Sequence, residues 1–225
     1  MHPLIANLKG KLIVSVQAYP GEPMRHPETM AQIARAAEIG GAAAIRCQGL
    51  SDISAIKGRV DVPVIGLWKE GHEGVYITPS LRHARACIMA GCDIVAIDAT
   101  SRPRLDGRTF AETCQILHEE GALVMADCGS FEDAKAAYEA GADIISTTLA
   151  GYTSDREKST GPDLELLKEI VAAYPDAAVI CEGRIHTPQE AVEAMNAGAF
   201  AVIVGTGITH PTSITTWFKD AVENR

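Results

Sequence analysis

The stretch Val179–Ile208, VICEGRIHTPQEAVEAMNAGAFAVIVGTGI, decides the fold. Val179–Cys181 is a short apolar run that Glu182 closes, with Gly183 and Arg184 behind it. Thr187, Pro188 and Glu190 then spell a helix start. Thr187 is a hydroxyl N-cap, Pro188 sits where its missing N–H costs nothing, and Glu190 completes a T-x-x-E capping box. The helix runs to about Ala197, and Gly198 ends it. Phe200–Val204 is a second apolar run, ending in Gly205-Thr206-Gly207. Strand, helix and strand, with a charge at one strand end and glycines at the next, read as the closing part of a parallel α/β structure. Such a structure places an anion site at its strand C-termini.

The junction in this stretch recurs along the chain as AEIGGAAAI, IMAGCDIVAI, YEAGADIIST and MNAGAFAVIV. Its glycines, Gly40, Gly91, Gly141 and Gly198, each read as the residue just past a helix end. They are spaced 51, 50 and 57 residues apart, which suits two βα units per interval. Apolar runs predict strands at Leu12–Val16, Ala42–Ile45, Val64–Leu67, Ile94–Ile97, Leu123–Ala126 and Ile144–Ser146, before the two in the opening stretch. Helices fall between them, including Leu50–Lys57, Pro79–Ala90, Gly107–Glu120, Phe131–Ala140 capped by Ser130, and Asp163–Ala173. A last helix covers Thr212–Val222, and a short one at about residues 3–9 plugs the bottom. Eight βα units in 225 residues predict a single domain, a closed (β/α)8 TIM barrel of the phosphate-binding type. A doubly wound open sheet is the alternative, because periodicity does not show closure.

Composition narrows the function. The chain is 47% hydrophobic with a formal net charge of -9, which argues against a general affinity for nucleic acid or anionic lipid. A local pocket of glycine and arginine still suits a phosphorylated metabolite. The six cysteines form no CxxC pair and sit in or beside apolar segments, so they read as small buried hydrophobes. The start MHPLIANLKGKL has no signal-peptide core, and no apolar stretch approaches a membrane span. A reduced, cytoplasmic protein is expected.

Barrels carry their chemistry at strand C-termini. Those positions hold Gln17, Arg46, Lys69, Asp98, Asp127, Thr147, Glu182 and Gly205. Unpaired buried charges are expensive, so a packed core would not select this set. Asp98 and Asp127 also suit helix caps or partners of Arg46, and Gln17 suits either substrate contact or loop support. Gly183, Arg184, Gly205 and Thr206 follow the last two strands, where such barrels often hold phosphate. The seven histidines share no ligand spacing, so no metal is expected, although Asp98 with Asp127 leaves a divalent ion open.

Lysine and glutamate on different strands can face each other across the mouth. That suits taking a proton from a carbon beside a carbonyl and returning one to the same carbon. A lysine base must be neutral; burial and Arg46 favour this, and Asp127 opposes it. Lys69 also suits a Schiff base in an aldolase, and a phosphometabolite binder without turnover is a third possibility.

Ten strings in order extend this reading: LIVSVQA with GEPM, AIRCQG, VIGLWK, IVAIDAT with RPR, VMADCGS, TTLAGYT, CEGRIHTPQEA and VGTGITHPTSITTWF. Across essentially its whole length the chain resembles the N-acetylmannosamine-6-phosphate 2-epimerase (N-acylglucosamine-6-phosphate 2-epimerase) family. The resemblance implies interconversion of N-acetylmannosamine 6-phosphate and N-acetylglucosamine 6-phosphate in sialic acid catabolism, without a cofactor. It implies Lys69 and Glu182 as catalytic groups, with Gln17, Arg46 and Asp127 orienting the lysine and the substrate. It further implies Gly183, Arg184, Gly205 and Thr206 as the phosphate grip, and Tyr152 and Thr153 in the sugar pocket.

The chain departs from the family at Val16 (usually cysteine), at Cys128-Gly129-Ser130 (usually Ile-Ser-Thr), at Thr206-Gly207 (usually a small residue and alanine) and at His210 (commonly arginine). Gly129 is expected to loosen the loop after Asp127. His210 either weakens a positive contribution near the phosphate or points outward. The expected partner is a small phosphosugar. A homodimer is also considered, because Ile214, Trp217 and Phe218 on the last helix can pack on the barrel or on another subunit.

Overall fold

Alternation along each strand sorts its side chains into two cores, and their contents explain why the sheet closes. The computed structural model describes residues 1–224. The strands are β1 (Leu12–Val16), β2 (Ala44–Gln48), β3 (Val64–Leu67), β4 (Ile94–Asp98), β5 (Leu123–Asp127), β6 (Ile144–Ser146), β7 (Val179–Glu182) and β8 (Ala201–Val204). All pair in parallel in chain order, and β1 also pairs with β8, Leu12 opposite Val202 and Val14 opposite Val204. The sheet is therefore a closed (β/α)8 barrel.

Inward positions carry Ile13, Ile65, Ile94, Met125, Ile180 and Ile203, packed as one core. Outward positions such as Val14, Val64, Val95, Val124 and Val179 pack on the helices in a second core. Those helices are α2 (Pro27–Ile39), α3 (Leu50–Lys57), α4 (Leu81–Met89), α5 (Phe110–Glu119), α6 (Phe131–Glu139), α7 (Leu164–Ala173) and α8 (Pro188–Asn196). Alanines at 31, 34, 84, 134, 137 and 194 form much of their inner faces, and their small size lets helix and sheet approach closely.

Several boundaries differ from the sequence expectations. The N-terminal helix α1 is only Pro3–Ala6, yet Ile5 and Leu8 still close the barrel floor. Strand β2 begins at Ala44, so Arg46 lies in mid-strand and not at its end. Helix α5 begins at Phe110, where Thr109 and Glu112 form a capping box, and not at Gly107. At the repeated junction the left-handed residue is Gly91, Gly141 and Gly198 as expected, but Gly41 in place of Gly40.

A short helix α9 (Thr206–Thr209) follows β8 directly, ahead of α10 (Pro211–Glu223). Helix α10 buries none of its residues. Trp217 meets the His186 ring with centroids 4.6 Å apart, while Phe218 is 72% exposed. Packing of this helix onto the barrel is thus slight. An apolar groove lined by Leu12, Ala191, Val192, Met195, Val202 and Ile208 lies on this side of the barrel. No helix is long and apolar enough to cross a membrane among the described residues.

Candidate active site

The period of two that places Ile13, Ala44, Ile65 and Ile180 in the barrel also places polar groups above them at the C-terminal mouth. Gln17 follows Ile13 and Ser15; Arg46 follows Ala44; Lys69 follows Ile65 and Leu67. Asp127 follows Met125, Thr148 follows Ile144 and Ser146, and Glu182 follows Ala178 and Ile180. Ser15, Gln17, Arg46, Lys69, Thr148 and Glu182 line one cavity of about 260 Å³. Asp127 lies behind Arg46, fully buried.

Arg46 organises the charges. Its Nη1 donates to Glu182 Oε1 at 2.7 Å, and its Nη2 donates to Asp127 Oδ2 at 2.5 Å. Burial works against its charge, but Asp127 and Glu182 more than offset this and raise its pKa, so it stays a cation. Asp127 moves up to about 7, because burial and Glu182 outweigh the pull of Arg46 and the hydrogen bond from Thr148. The Thr148 hydroxyl is 2.7 Å from Asp127 Oδ1 and 3.0 Å from Glu182 Oε2, so it links the two carboxyls on the side away from Arg46.

Lys69 is held from two sides. Its backbone bridges antiparallel to Ile77, and flanking bonds run from Thr78 N–H to Trp68 O and from Glu70 N–H to Tyr76 O. Thr78 adopts a left-handed φ of 47°, unusual for a β-branched residue. Its hydroxyl is 2.7 Å from Ala96 O and its N–H is bonded to Trp68 O, so buried hydrogen bonds sustain the strain. The Lys69 ammonium donates to Gln17 Oε1 at 2.8 Å, and Gln17 Nε2 donates to Ser15 Oγ at 2.9 Å. Burial first, and Arg46 second, lower the Lys69 pKa from 10.5 to about 8, with Glu182 and Asp127 opposing. The balance left open by the sequence falls toward the neutral amine.

The rim is built by the β6–α7 and β7–α8 loops. Arg184 has a left-handed φ of 56°, and three bonds hold it: Nη1 to Ala150 O at 2.7 Å, Nε to Gly161 O at 3.0 Å, and Nη2 to Ser159 Oγ at 3.0 Å. Its guanidinium braces the β6–α7 loop and stacks 5.3 Å from the Tyr152 ring. Gly183, Arg184, Gly205, Thr206 and Tyr152 all line the cavity. Thr153 does not. It turns back against Gly129, with its hydroxyl buried and unpartnered.

A Cβ at Gly129 would lie 2.8 Å from Thr153 Oγ1, so this glycine permits close packing where a looser loop was expected. His210 is likewise turned in: it lines the cavity, is 8% exposed, and its Nδ1 accepts the Ser213 N–H at the start of α10.

Two strand-end expectations are corrected. Thr147 faces away from the mouth, with its hydroxyl donating to Glu182 O at 2.9 Å; Thr148 is the residue that faces in. Asp98 is fully buried, and its carboxylate is taken by Thr100 and Arg102 beside the barrel and not in the cavity. Ser15, Tyr76 and Thr148 line the cavity and were missed. Counting in twos from Ile13 and Ile144 finds Ser15 and Thr148. No local signal marks Tyr76, which the Lys69–Ile77 bridge brings in.

Comparison with known proteins agrees with this architecture. Residues 30–224 match a family described as "Putative N-acetylmannosamine-6-phosphate epimerase". A relative from Cutibacterium acnes named as such a 2-epimerase is 61% identical over 97% of this chain and 96% of its own. One from Corynebacterium glutamicum is 52% identical, covering 96% of this chain and 94% of its own. The solved N-acetylmannosamine-6-phosphate 2-epimerase from Clostridium perfringens superposes with a TM-score of 0.94 at 40% identity, over 98% of this chain and 96% of that one. A thiamine phosphate pyrophosphorylase from Pyrococcus furiosus, 19% identical with a TM-score of 0.63 over 98% of each chain, shares the fold. On sequence across nearly its whole length and on the superposed barrel, this chain belongs to the N-acetylmannosamine-6-phosphate 2-epimerase family.

Proposed function

We propose that this chain interconverts N-acetyl-D-mannosamine 6-phosphate and N-acetyl-D-glucosamine 6-phosphate by removing and returning the proton at C2. One observation carries the reading: a lysine with its pKa lowered to about 8 opens into the same cavity as a carboxyl group fixed by a buried arginine. The C2 proton becomes acidic in the open-chain aldehyde, where its loss gives an enediol-like anion. Neutral Lys69 removes it while an N–H remains bonded to Gln17, which leaves the lone pair for the substrate. Glu182 supplies a proton to the opposite face. Arg46 holds Glu182 in place, and Asp127 sits behind it.

The phosphate end rests on the last two loops. The N–H groups of Gly183, Arg184 and Thr206 donate to no protein acceptor among the described residues, and all three residues line the cavity. The Arg184 guanidinium contributes charge while its donors hold the β6–α7 loop. Tyr152, over that guanidinium, forms a wall for the sugar. Binding the phosphate fixes C2 between the two catalytic groups.

The test is an NMR time course with N-acetylmannosamine 6-phosphate in heavy water, beside Lys69→Ala and Glu182→Ala proteins. The expected result is the gluco epimer deuterated at C2, slowed by about 10²–10⁴-fold in each variant. No adduct is expected on Lys69 after borohydride treatment. Tight binding with neither epimer nor C2 exchange overturns the reading, and a trapped adduct with sugar cleavage would replace it with an aldolase.

A further inference from the structure

The Thr148 hydroxyl has one proton and three oxygen partners. Asp127 Oδ1 is at 2.7 Å, Ser146 Oγ at 2.9 Å and Glu182 Oε2 at 3.0 Å. Ser146 can donate to Thr148, which leaves the threonine proton for one carboxyl only. A second ionised carboxylate at hydrogen-bond distance would face the threonine lone pairs with no proton between them. The arrangement is satisfied when one carboxyl is protonated and donates to Thr148 while Thr148 donates to the other. Arg46 supports the same count, because its single positive charge bonds both carboxyls.

We infer that Thr148 is a positioning residue that holds one proton between Asp127 and Glu182 and passes it to Glu182 for each turnover. In that step the Asp127 carboxyl gives its proton to Thr148 Oγ1 as the threonine's own proton moves to Glu182 Oε2. One O–H bond breaks and one forms at the threonine, and the negative charge moves from Glu182 to Asp127. Over a cycle Lys69 releases to solvent the proton it took, and the carboxyl pair regains one from solvent. Asp127, fully buried, acts as a proton reserve that never touches the substrate. The inference leans on the epimerase reading only in making Glu182 the donor; the shared proton stands on the geometry.

The groups that face this pair are Arg46 on β2, Lys69 after β3, Asp98 on β4 and Tyr76 in the β3–α4 loop. The Thr148→Val protein keeps the shape and removes the hydroxyl; Thr148→Ser keeps the hydroxyl. In Thr148→Val the singly protonated pair loses both of its hydrogen bonds to the threonine hydroxyl and the fully ionised pair only one, while the Arg46 bonds to both carboxyls remain, so the protonated pair is weakened more. Its kcat is expected to fall about 10- to 100-fold, the size of one hydrogen bond to a charged group, with KM little changed. The alkaline limb of kcat, set by loss of the pair's proton, moves to lower pH by about one unit, while the limb set by Lys69 stays. Thr148→Ser is expected to restore both limb and rate. Unshifted limbs in Thr148→Val, or the same shift in Thr148→Ser, would overturn the inference.

A second measurement needs no turnover. Difference infrared spectra of the wild type at neutral pH are expected to show a buried protonated carboxyl, altered in Thr148→Val and reassigned with Asp127→Asn and Glu182→Gln. If that band is missing, the shared proton is wrong even where epimerisation proceeds. If the band is present and no C2 exchange occurs, the epimerase reading is wrong and the shared proton survives.

Discussion

The floor and the mouth of this barrel are built from the same strands under the same alternation, and they hold opposite chemistry. At the floor, Ile13, Ile65, Ile94 and Ile180 meet Ile5 and Leu8 from the N-terminus. Each buried aliphatic side chain there stabilises the fold by about 1.5–3 kcal/mol through a non-directional effect that many side chains of similar volume would supply. At the mouth, Arg46, Asp127 and Glu182 satisfy one another at 2.5 and 2.7 Å. Buried ion pairs of this kind are weak sources of stability, because desolvation offsets the attraction. Backbone strain follows the same division: among the described residues the non-glycine residues with left-handed φ, Thr78 and Arg184, both sit on loops at the mouth. The lower barrel carries the stability that the upper barrel's chemistry requires.

The sharpest break in that comparison comes from Arg46→Met. The substitution leaves Asp127 and Glu182 buried without their cation, so it is expected to cost about 3–5 kcal/mol in urea unfolding. It also releases Glu182, so turnover should fall about 10²–10³-fold, as when one preorganised donor is removed. A folded, active Arg46→Met protein would mean that the mouth charges are not coupled. Ile5→Ala probes the other end. It opens a void beneath the core and is expected to cost about 2–5 kcal/mol, with kcat unchanged at temperatures where the protein stays folded. A lowered kcat in a folded Ile5→Ala protein would show that floor packing reaches the mouth.

The floor was far more legible than the mouth. Short β-branched runs and the recurring helix-end glycine carry the barrel, because burial and turn geometry are local demands on residue type. Strand β2 slid by two residues because Ala42, Ala43 and Ala44 are equally at home in a turn and a strand. That slip put Arg46 at a strand end when it lies in the middle of one. Thr147 and Thr148 are neighbours of one residue type, and only the count from Ile144 separates the outward hydroxyl from the inward one. Arg184 announces a cation near phosphate loops, but its acceptors, Ala150 O and Gly161 O, lie 34 and 23 residues away in the chain. Pairings over such distances are set by the closed fold and leave no local mark. The apolar residues of α10 are visible in sequence, whereas their exposure on the barrel is set by the closed fold and is not a local property.

The finest test of the contrast asks whether Lys69 is a strained mouth residue in the wild type. Its pKa is lowered from 10.5 to about 8, burial being the main cause. Between those values the unfolded chain binds the proton that the folded chain has lost, so stability rises with pH across this window. Below about pH 8 the folded protein bears the full cost of a buried ammonium. Lys69→Met removes that cost and fits the same space with an apolar chain. The variant is expected to be more stable than the wild type by about 1–3 kcal/mol below this range, one pKa unit being about 1.4 kcal/mol. Its advantage should shrink as pH rises through this window and be smallest above 10.5, where folded and unfolded wild type both carry a mostly neutral amine. Unfolding in urea at closely spaced pH values measures the difference. A gap that stays constant across the window would mean that Lys69 keeps an ordinary proton affinity, and the lysine would then be no base able to act near neutral pH.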